Sequence, residues 1–163
     1  MKKVFTLASC LAVIVLTLGT SGCQSTKSFY KGRQAAPEYI VPLAGTSTNA
    51  QWKSFDLEMS YSHEERGDSF QISGQVKLSD HYKITYERLE DLELYLLILD
   101  SDSLVIKAAR LITHHPYYIE AVLPFKTSLS LPPGAVAFSF AYDGVVREAG
   151  VGGSSQNFML RPK

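Results

Sequence analysis

The sequence predicts an all-β domain, an antiparallel β-sandwich of about seven to eight strands. Apolar and polar residues alternate with a period of two along several short segments after Gln51. This pattern is typical of strands that turn one face to a core and the other to water. Clusters of Gly, Pro, Asp and Ser separate the segments, and the sequence shows no long amphipathic helix.

The first two predicted strands form a hairpin. Residues 55–61 place Phe55 and the following odd-numbered residues on the apolar face, and residues 70–79 alternate in the same way. The polar residues 63–68 between them predict the hairpin loop. Gly74 falls on the apolar face of its strand, where a bulge or the close approach of another chain usually explains a glycine.

The next predicted pair of strands contains the centre of a sheet. Residues 92–99 are apolar on both faces toward their end, which predicts a central strand. Residues 100–103, Asp-Ser-Asp-Ser, turn this strand back into residues 104–106. Residues 80–90 are compatible with a crossing loop or with one helical turn, since residues 87–90 favour helix.

The last third of the chain gives the clearest strand signals. Pro132-Pro133-Gly134 predicts a sharp turn, and Asp143-Gly144 is the dipeptide typical of a type I′ hairpin. Four predicted strands flank these turns: residues 125–131, 136–142, 145–148 and 157–160.

One turn carries a family resemblance. Leu131-Pro132-Pro133-Gly134 resembles the Leu-x-Pro-Gly corner of fibronectin type III domains, which implies an immunoglobulin-like sandwich. In that family a tyrosine stands three positions after the glycine, and this sequence has Ala137 there. The hydroxyl of that corner is therefore missing, so the resemblance supports the architecture and does not establish membership.

The N-terminus has the layout of a cleaved secretory signal. Two lysines precede an apolar run over residues 4–18, and small residues lead to Cys23. Ser21-Gly22-Cys23 resembles the lipobox of bacterial lipoproteins, although Thr20 stands where that motif usually has a large aliphatic residue. The resemblance implies cleavage before Cys23, diacylation of Cys23 and acylation of the new N-terminus.

Two alternatives remain at the N-terminus: a soluble periplasmic protein cleaved near Ser21, and a permanent transmembrane anchor. The apolar run of about 15 residues is shorter than the ~20 that span a bilayer. Cys10 leaves with a cleaved signal, so lipidation of Cys23 would leave the mature domain without a thiol. Gln24 stands where an Asp retains Gram-negative lipoproteins at the inner membrane. That resemblance implies the outer membrane, facing the periplasm.

The pattern divides the chain into a signal peptide (1–22), a lipidated cysteine with a flexible tether (23–50) and a sandwich (51–163) that we expect to fold alone. The tether is rich in Ser, Thr, Gly and Pro, a composition that rarely buries enough apolar area to become ordered. As a coil it would reach about 30 Å. Within it, residues 39–43 are apolar and predict a docked edge strand, which Pro42 confines to an edge.

The charge distribution indicates which classes of partner to expect. Residues 24–50 hold three basic residues and one acid, and residues 51–163 hold 11 basic and 15 acidic residues, a net charge of −4. A basic tether suits an anionic membrane surface, although an ordinary solvated surface is the favoured explanation. No basic stripe is interleaved with aromatic residues, so no nucleic-acid partner is expected.

The candidate contact site is the run His114, His115, Tyr117 and Tyr118, which breaks the strand alternation. Exposed aromatic residues in such a loop favour contact with a partner or ligand over a metal site, while simple loop packing is the more common explanation. A metal site is not expected, because adjacent strand residues point to opposite faces and His63 and His81 are the only other histidines.

Catalytic motifs are missing from the sequence. It contains no Gly-x-Ser-x-Gly, no His-Glu-x-x-His and no phosphate loop, so we expect neither an enzyme nor a cofactor. Asp100-x-Asp102 lacks the glycine and the glutamate of an EF-hand loop, which favours a charged hairpin tip. The sequence therefore predicts a protein-interaction or structural module that docks on another envelope protein. The alternative is a module that grips a glycan or peptide with its loop tips.

Overall fold

The structure, a computed structural model, describes residues 29–43, 45–113 and 117–163. The signal segment, Cys23, His114 and His115 lie outside the described residues. The described part contains ten strands and two short 3₁₀ helices, Pro37–Tyr39 and Asp80–Ile84. The strands are β1 (Val41–Pro42), β2 (Thr46–Lys53), β3 (Leu57–Arg66), β4 (Ser69–Leu78), β5 (Arg88–Leu99), β6 (Val105–Thr113), β7 (Tyr117–Tyr118), β8 (Leu123–Ser130), β9 (Ala137–Arg147) and β10 (Ser155–Leu160).

The strands form two antiparallel sheets, which confirms the predicted all-β sandwich. One sheet has the order β2-β3-β4-β8, and the other runs from β9 through β5 to β6. β1 and β10 both pair with the outer side of β9, and β7 pairs with the start of β5. Strands β3, β4 and β8 take the places of strands A, B and E of an immunoglobulin-like sandwich, opposite β10-β9-β5-β6 in the places of G, F, C and C′.

The Leu-Pro-Pro-Gly turn connects β8 to β9, which is the connection between strands E and F of such a sandwich. Gly134 has φ +83° there, a conformation that side chains disfavour. Ala137 opens β9 and has no hydroxyl to close the corner. The turn therefore lies where the resemblance places it, without the tyrosine that stabilises it in fibronectin type III domains.

The main core lies between the sheets, and a second apolar cluster lies outside them. Residues Leu94 to Leu99 of β5 are buried on both faces, which confirms the predicted central strand. Their inner face meets the aromatic residues of the main core. Their outer face is covered by Tyr30 and Ala35, and the Tyr30 ring lies edge-on to Tyr95 at 5.3 Å.

The N-terminal segment is part of the sandwich, which corrects the flexible tether predicted up to residue 50. Gln34 pairs with Leu104, β1 pairs with β9, and β2 begins at Thr46. A few apolar side chains, Tyr30 and Ala35 among them, dock this polar stretch on a sheet face that would otherwise be exposed. The edge strand predicted within residues 39–43 is confirmed as β1.

The predicted hairpin at Asp143-Gly144 is wrong, because β9 runs through both residues. The Phe158 ring of β10 occupies the space beside Gly144, so that an added Cβ would lie 2.6 Å from Phe158 Cε1. The Arg161 guanidinium donates to Asp143 from Nη2 at 2.5 Å and from Nε, which is shared between both carboxylate oxygens at 2.9 and 3.1 Å. Gly144 is therefore a site of close approach within a strand and not a turn.

Gly74 has the same role in β4. An added Cβ would lie 2.7 Å from the Cβ of Tyr61 on the neighbouring strand, as the predicted close approach requires. Residues 80–84 form a 3₁₀ helix, while the helix-favouring residues 88–90 open β5 instead. Pairing with β9 on one side and β7 on the other decides their conformation.

His63 lies in β3 and not in a polar loop, since the turn between β3 and β4 is confined to Gly67 and Asp68. The imidazole is 5% exposed and lies among the rings of Tyr61, Phe70 and Phe138. Neither ring nitrogen has a hydrogen-bond partner among the described residues. Burial lowers the pKa of His63, and the nearby carboxylate of Glu65 opposes that shift.

This lowered pKa predicts a loss of stability in mild acid. The folded chain resists protonation of His63, while the unfolded chain takes up the proton as the pH falls below about 6.5. Stability is therefore full above that pH and declines below it, with a limiting slope of about 1.4 kcal/mol per pH unit for one proton. In His63→Leu, urea unfolding at pH 5 and 7 should show a smaller difference. The exposed control His81→Gln should keep it, and an unchanged difference in His63→Leu would contradict the assignment.

Candidate functional site

Four connections of the described chain meet at one end of the sandwich. They are the β2–β3 turn, the segment from the 3₁₀ helix to β5, the segment from β7 to β8, and the β9–β10 loop. The register brings their ends together, because Leu57 at the start of β3 pairs with Leu78 at the end of β4. Arg88 at the start of β5 likewise pairs with Arg147 at the end of β9.

Exposed apolar side chains concentrate on this end. Among the described residues, eight large apolar side chains are exposed, and five of them lie on these connections. We call these five the apolar loop end: Phe55, Ile84, Tyr118, Val122 and Val151. The other three lie elsewhere, namely Phe29 at the first described residue, Val136 at the opposite end and Met159 on β10.

Phe55 is forced outward by its neighbours, which corrects its predicted place in the core. Ser54 and Asp56 on either side are buried, while Phe55 is 75% exposed. Its ring lies against His81 of the 3₁₀ helix, with 4.5 Å between the ring centroids. Because the flanking residues are anchored inside, the phenyl ring stands at the surface of the turn.

The anchor beneath Phe55 is a buried network around the carboxylate of Asp56. Tyr82 donates its hydroxyl to one carboxylate oxygen at 2.6 Å, and Tyr142 donates to the other at 2.7 Å. The Tyr142 hydroxyl also lies 2.9 Å from Ser54 Oγ, which accepts a bond from the Leu57 amide. Tyr142 belongs to the sheet opposite β3, so the network joins both sheets below the apolar loop end.

Burial is the main cause that raises the pKa of Tyr82 and of Tyr142, and the Asp56 carboxylate adds to it in both cases. Both phenols therefore stay protonated and act as hydrogen-bond donors. The Asp56 carboxylate is satisfied by these donors and does not face an open cavity. The network is thus suited to holding the loop end in place and not to chemistry on a substrate.

Val151 stands at the tip of the β9–β10 loop because of the glycines beside it. Gly150 has φ +91° and Gly152 has φ +87°, which is the left-handed region that glycine adopts without strain. The loop is closed below them by the amide of Ser154, which donates to the Glu148 carboxylate at 3.2 Å. The backbone therefore presents an isopropyl group to water.

Tyr118 and Val151 line one groove of about 590 Å³. Arg88 and Arg147 face each other across the strand pair at its floor. The Arg147 guanidinium donates to Glu90 at 2.9 Å, while Arg88 forms no ion pair with a described residue. The groove thus combines apolar groups with two arginines and with the carboxyl groups of Glu87 and Glu148.

The structure describes two of the four residues of the sequence-predicted site. His114 and His115 lie outside the described residues. Tyr117 and Tyr118 form β7, paired with Leu89 and Arg88. The Tyr118 side chain is 76% exposed, so it does not belong to the core.

Sequence reasoning missed four members of the apolar loop end, namely Phe55, Ile84, Val122 and Val151. The sequence carries a usable signal for one of them, since a valine between two glycines predicts a projecting loop tip. Phe55 carries no such signal, because it begins an alternating segment and that pattern predicts burial. Ile84 and Val122 carry none because they lie outside the predicted strands.

The Asp100 turn is a closed hairpin tip. One carboxylate oxygen of Asp100 accepts the amides of Asp102 at 3.0 Å and of Leu104 at 2.9 Å. Within the described ranges, no group of three His, Cys, Asp or Glu side chains is placed to hold a metal ion. In that same part of the chain, no helix is long and apolar enough to cross a membrane.

The chain matches no protein-family model, no curated protein and no solved structure. Its function therefore has to be inferred from the chemistry of its own surface.

Proposed function

We propose that this chain is an envelope lipoprotein whose β-sandwich is a protein-interaction module, and that it binds its partner through the apolar loop end. The clustering of five of the eight exposed large apolar side chains on one end carries this proposal. Scattered exposed apolar residues need no explanation, whereas a cluster on surface loops is typical of an interaction site.

The chemistry of the cluster suits a protein surface. Phe55 and Tyr118 are large, rigid groups of the kind that dominate protein interfaces, and both are about three-quarters exposed before any partner binds. The Asp56 network below and the glycine-flanked tip at Val151 hold the loops in defined conformations. A partner would therefore meet a largely preformed surface.

The proposed anchor is lipidated Cys23, with the protein held at the outer membrane and facing the periplasm. Between Cys23 and the packed segment that begins with Phe29 and Tyr30 lie residues 24–28. Even fully extended, a chain of six residues spans at most about 20 Å. The module would stay closer to the membrane than the 30 Å coil that the sequence suggested.

The anchor is tested by Cys23→Ser. We expect the variant to accumulate as unprocessed precursor or to leave the membrane fraction, because no thiol remains to carry the diacyl group. Membrane fractionation with high-salt and carbonate washes, followed by mass spectrometry of the N-terminus, measures both outcomes. A Cys23→Ser protein that stays in the washed membranes would mean that lipid does not hold it.

The loop end is tested by the triple variant Phe55→Ser, Tyr118→Ser and Val151→Ser. In-envelope crosslinking should recover the partner at least about tenfold less well, since buried aromatic anchors contribute ~2 kcal/mol or more each. The control Phe29→Ser plus Met159→Ser removes exposed apolar groups elsewhere and should preserve recovery. Both variants should keep the parental melting temperature, because the replaced side chains are exposed. Equal recovery from both variants would refute the loop end as the contact surface.

A second candidate is a ligand-binding module that grips a glycan or peptide with the same loops. The groove of about 590 Å³ beside Tyr118 favours it, because Arg88 lines this groove and forms no ion pair with a described residue. This candidate predicts that Arg88→Gln reduces binding of an anionic sugar or peptide while the crosslinked protein partner is still recovered.

A further inference from the structure

We infer a second binding site on this domain: a groove between β6 and β8 that accepts an extended, acidic peptide segment by strand addition. The site is distinct from the apolar loop end and does not depend on the proposed function. It lies along one side of the sandwich, where the last strand of each sheet is open.

Both strands form backbone hydrogen bonds with a neighbouring strand on one side only along most of their length. β6 pairs with β5, and β8 pairs with β4. The N-terminal segment takes up the start of β6, where the amides of Gly32 and Val105 bond across to Val105 and Arg33. Beyond that point, no described strand pairs with the outer edge of either β6 or β8. Edge strands with free N–H and C=O groups are templates for another strand.

The two open edges face one cavity of about 640 Å³. Its walls are residues 107–110 of β6 and residues 127–130 of β8, with Tyr95 beside them. Four residues on each wall correspond to a length of about 13 Å at ~3.3 Å per residue. The cavity therefore suits a short extended segment, with the half-buried Leu129 offering apolar contact to its side chains.

The side chains that line the groove carry positive charge, which favours an acidic peptide as its occupant. Lys107 and Arg110 line the groove with no acidic residue among the lining side chains, although residues 51–163 together carry a net charge of −4. Lys126, next along β8, forms no ion pair with a described residue. Lys107 and Arg110 are three positions apart on β6, where they pair with Ile98 and Tyr95, so their side chains leave opposite faces of the sheet. Acidic residues on both faces of an added strand would meet these two cations.

In the absence of a partner, the Lys107 side chain donates a hydrogen bond to a backbone carbonyl at the open edge of β8. Its ammonium reaches across the groove and donates to the backbone oxygen of Ser130 at 2.5 Å and lies 3.3 Å from its hydroxyl. Arg110 lies over the Tyr95 ring at 5.7 Å and 3.7 Å from Glu93. A carboxylate from an incoming strand would give Lys107 a charged partner in place of a neutral carbonyl, and the backbone of that strand would take over the edge.

The same charges argue against a second copy as the occupant. A pairing of two identical grooves would place Lys107 and Arg110 near their own copies, and lysine on an edge strand is a common device against such pairing. An acidic strand from another protein supplies the opposite charge. Its affinity would come from main-chain hydrogen bonds and its specificity from alternate side chains.

The test uses the full chain, isotope-labelled and purified in detergent micelles, with the blocked peptide acetyl-(Val-Glu-Glu)₃-amide, which carries glutamates on both faces of an extended strand, as the probe. We expect saturable amide shifts confined to residues 106–113 and 123–130. The charge-reversed peptide acetyl-(Val-Lys-Lys)₃-amide should produce no shifts there. The double variant Lys107→Glu and Arg110→Glu should weaken the acidic peptide about tenfold, since two exposed charge pairs are reversed.

The matched control is Arg66→Glu at the β3–β4 turn, which changes the same charge away from the groove and should bind like the parent. If the double variant melts early, Lys126→Glu on the exposed face of β8 takes its place, with a several-fold loss expected. The site is overturned if the acidic peptide gives no shifts at millimolar concentration or binds the charge-reversed variant equally. Concentration-dependent shifts of the same amides without peptide would also overturn it, in favour of self-association.

Discussion

A chain that begins at residue 51 is expected not to fold, although the sequence pattern alone predicts that residues 51–163 form an independent domain. The truncation removes β1, the first five residues of β2 and the segment that covers the outer face of β5. It exposes Tyr95, Leu97 and Leu99 to water. Trp52 also loses Tyr39, whose ring lies 5.4 Å away and whose backbone oxygen accepts the indole N–H.

The expected size of this effect follows from buried area. Each large apolar side chain removed from the interior contributes about 1.5–3 kcal/mol, so several together approach the 5–15 kcal/mol that stabilise a typical domain. A chain that begins at residue 29 is the control and should show a cooperative thermal transition and dispersed amide resonances. If residues 51–163 show a cooperative transition within a few degrees of that control, the N-terminal segment contributes little to the stability of the sandwich.

The second large effect is expected from Asp56→Ala. The change removes the carboxylate that accepts from two buried phenol hydroxyls, Tyr82 and Tyr142, and leaves only the bond between Ser54 and Tyr142 of this network. A loss of about 3–5 kcal/mol is expected, because hydrogen bonds to a charged group are stronger than neutral ones and the Tyr82 hydroxyl stays buried without its acceptor. Urea unfolding measures it, with Asp102→Ala at the exposed hairpin tip as the matched control.

The network also predicts that the stability of the fold depends on pH in the alkaline range. The pKa of each of these tyrosines is raised above the ordinary 10.0 in the folded chain, so the unfolded chain releases its phenol protons first as the pH rises. Stability is therefore full below pH 10 and declines above it. Tyr82→Phe plus Tyr142→Phe should flatten that decline, whereas the exposed control Tyr118→Phe should not. If the double variant loses stability above pH 10 as steeply as the parent, the network does not control these groups.

Of two turns predicted from local sequence, the structure contains one and not the other. The Asp100 hairpin formed as expected because its carboxylate accepts two backbone amides within the turn itself. The equally strong Asp143-Gly144 signal failed because its context is tertiary: Phe158 packs beside Gly144 and Arg161 binds Asp143. A dipeptide decides a turn only where no distant side chain occupies the same space.

In the candidate site, too, one residue was predictable from local sequence and others depended on the tertiary structure. Tyr118 was predicted because it breaks the strand alternation, and its side chain is exposed. Phe55, Ile84 and Val151 are far apart in sequence, and only the order of the antiparallel strands brings their connections to one end.

The sequence by itself determined the fold class, the central position of β5 and the edge strand at Val41–Pro42. A period of two and the missing N–H of proline are local properties that survive in any context. The tertiary structure decided that the N-terminal segment belongs to the domain, that His63 is buried and that Phe55 faces water. In each case the deciding energy is the burial of one surface against another, and a surface exists only after the strands have paired.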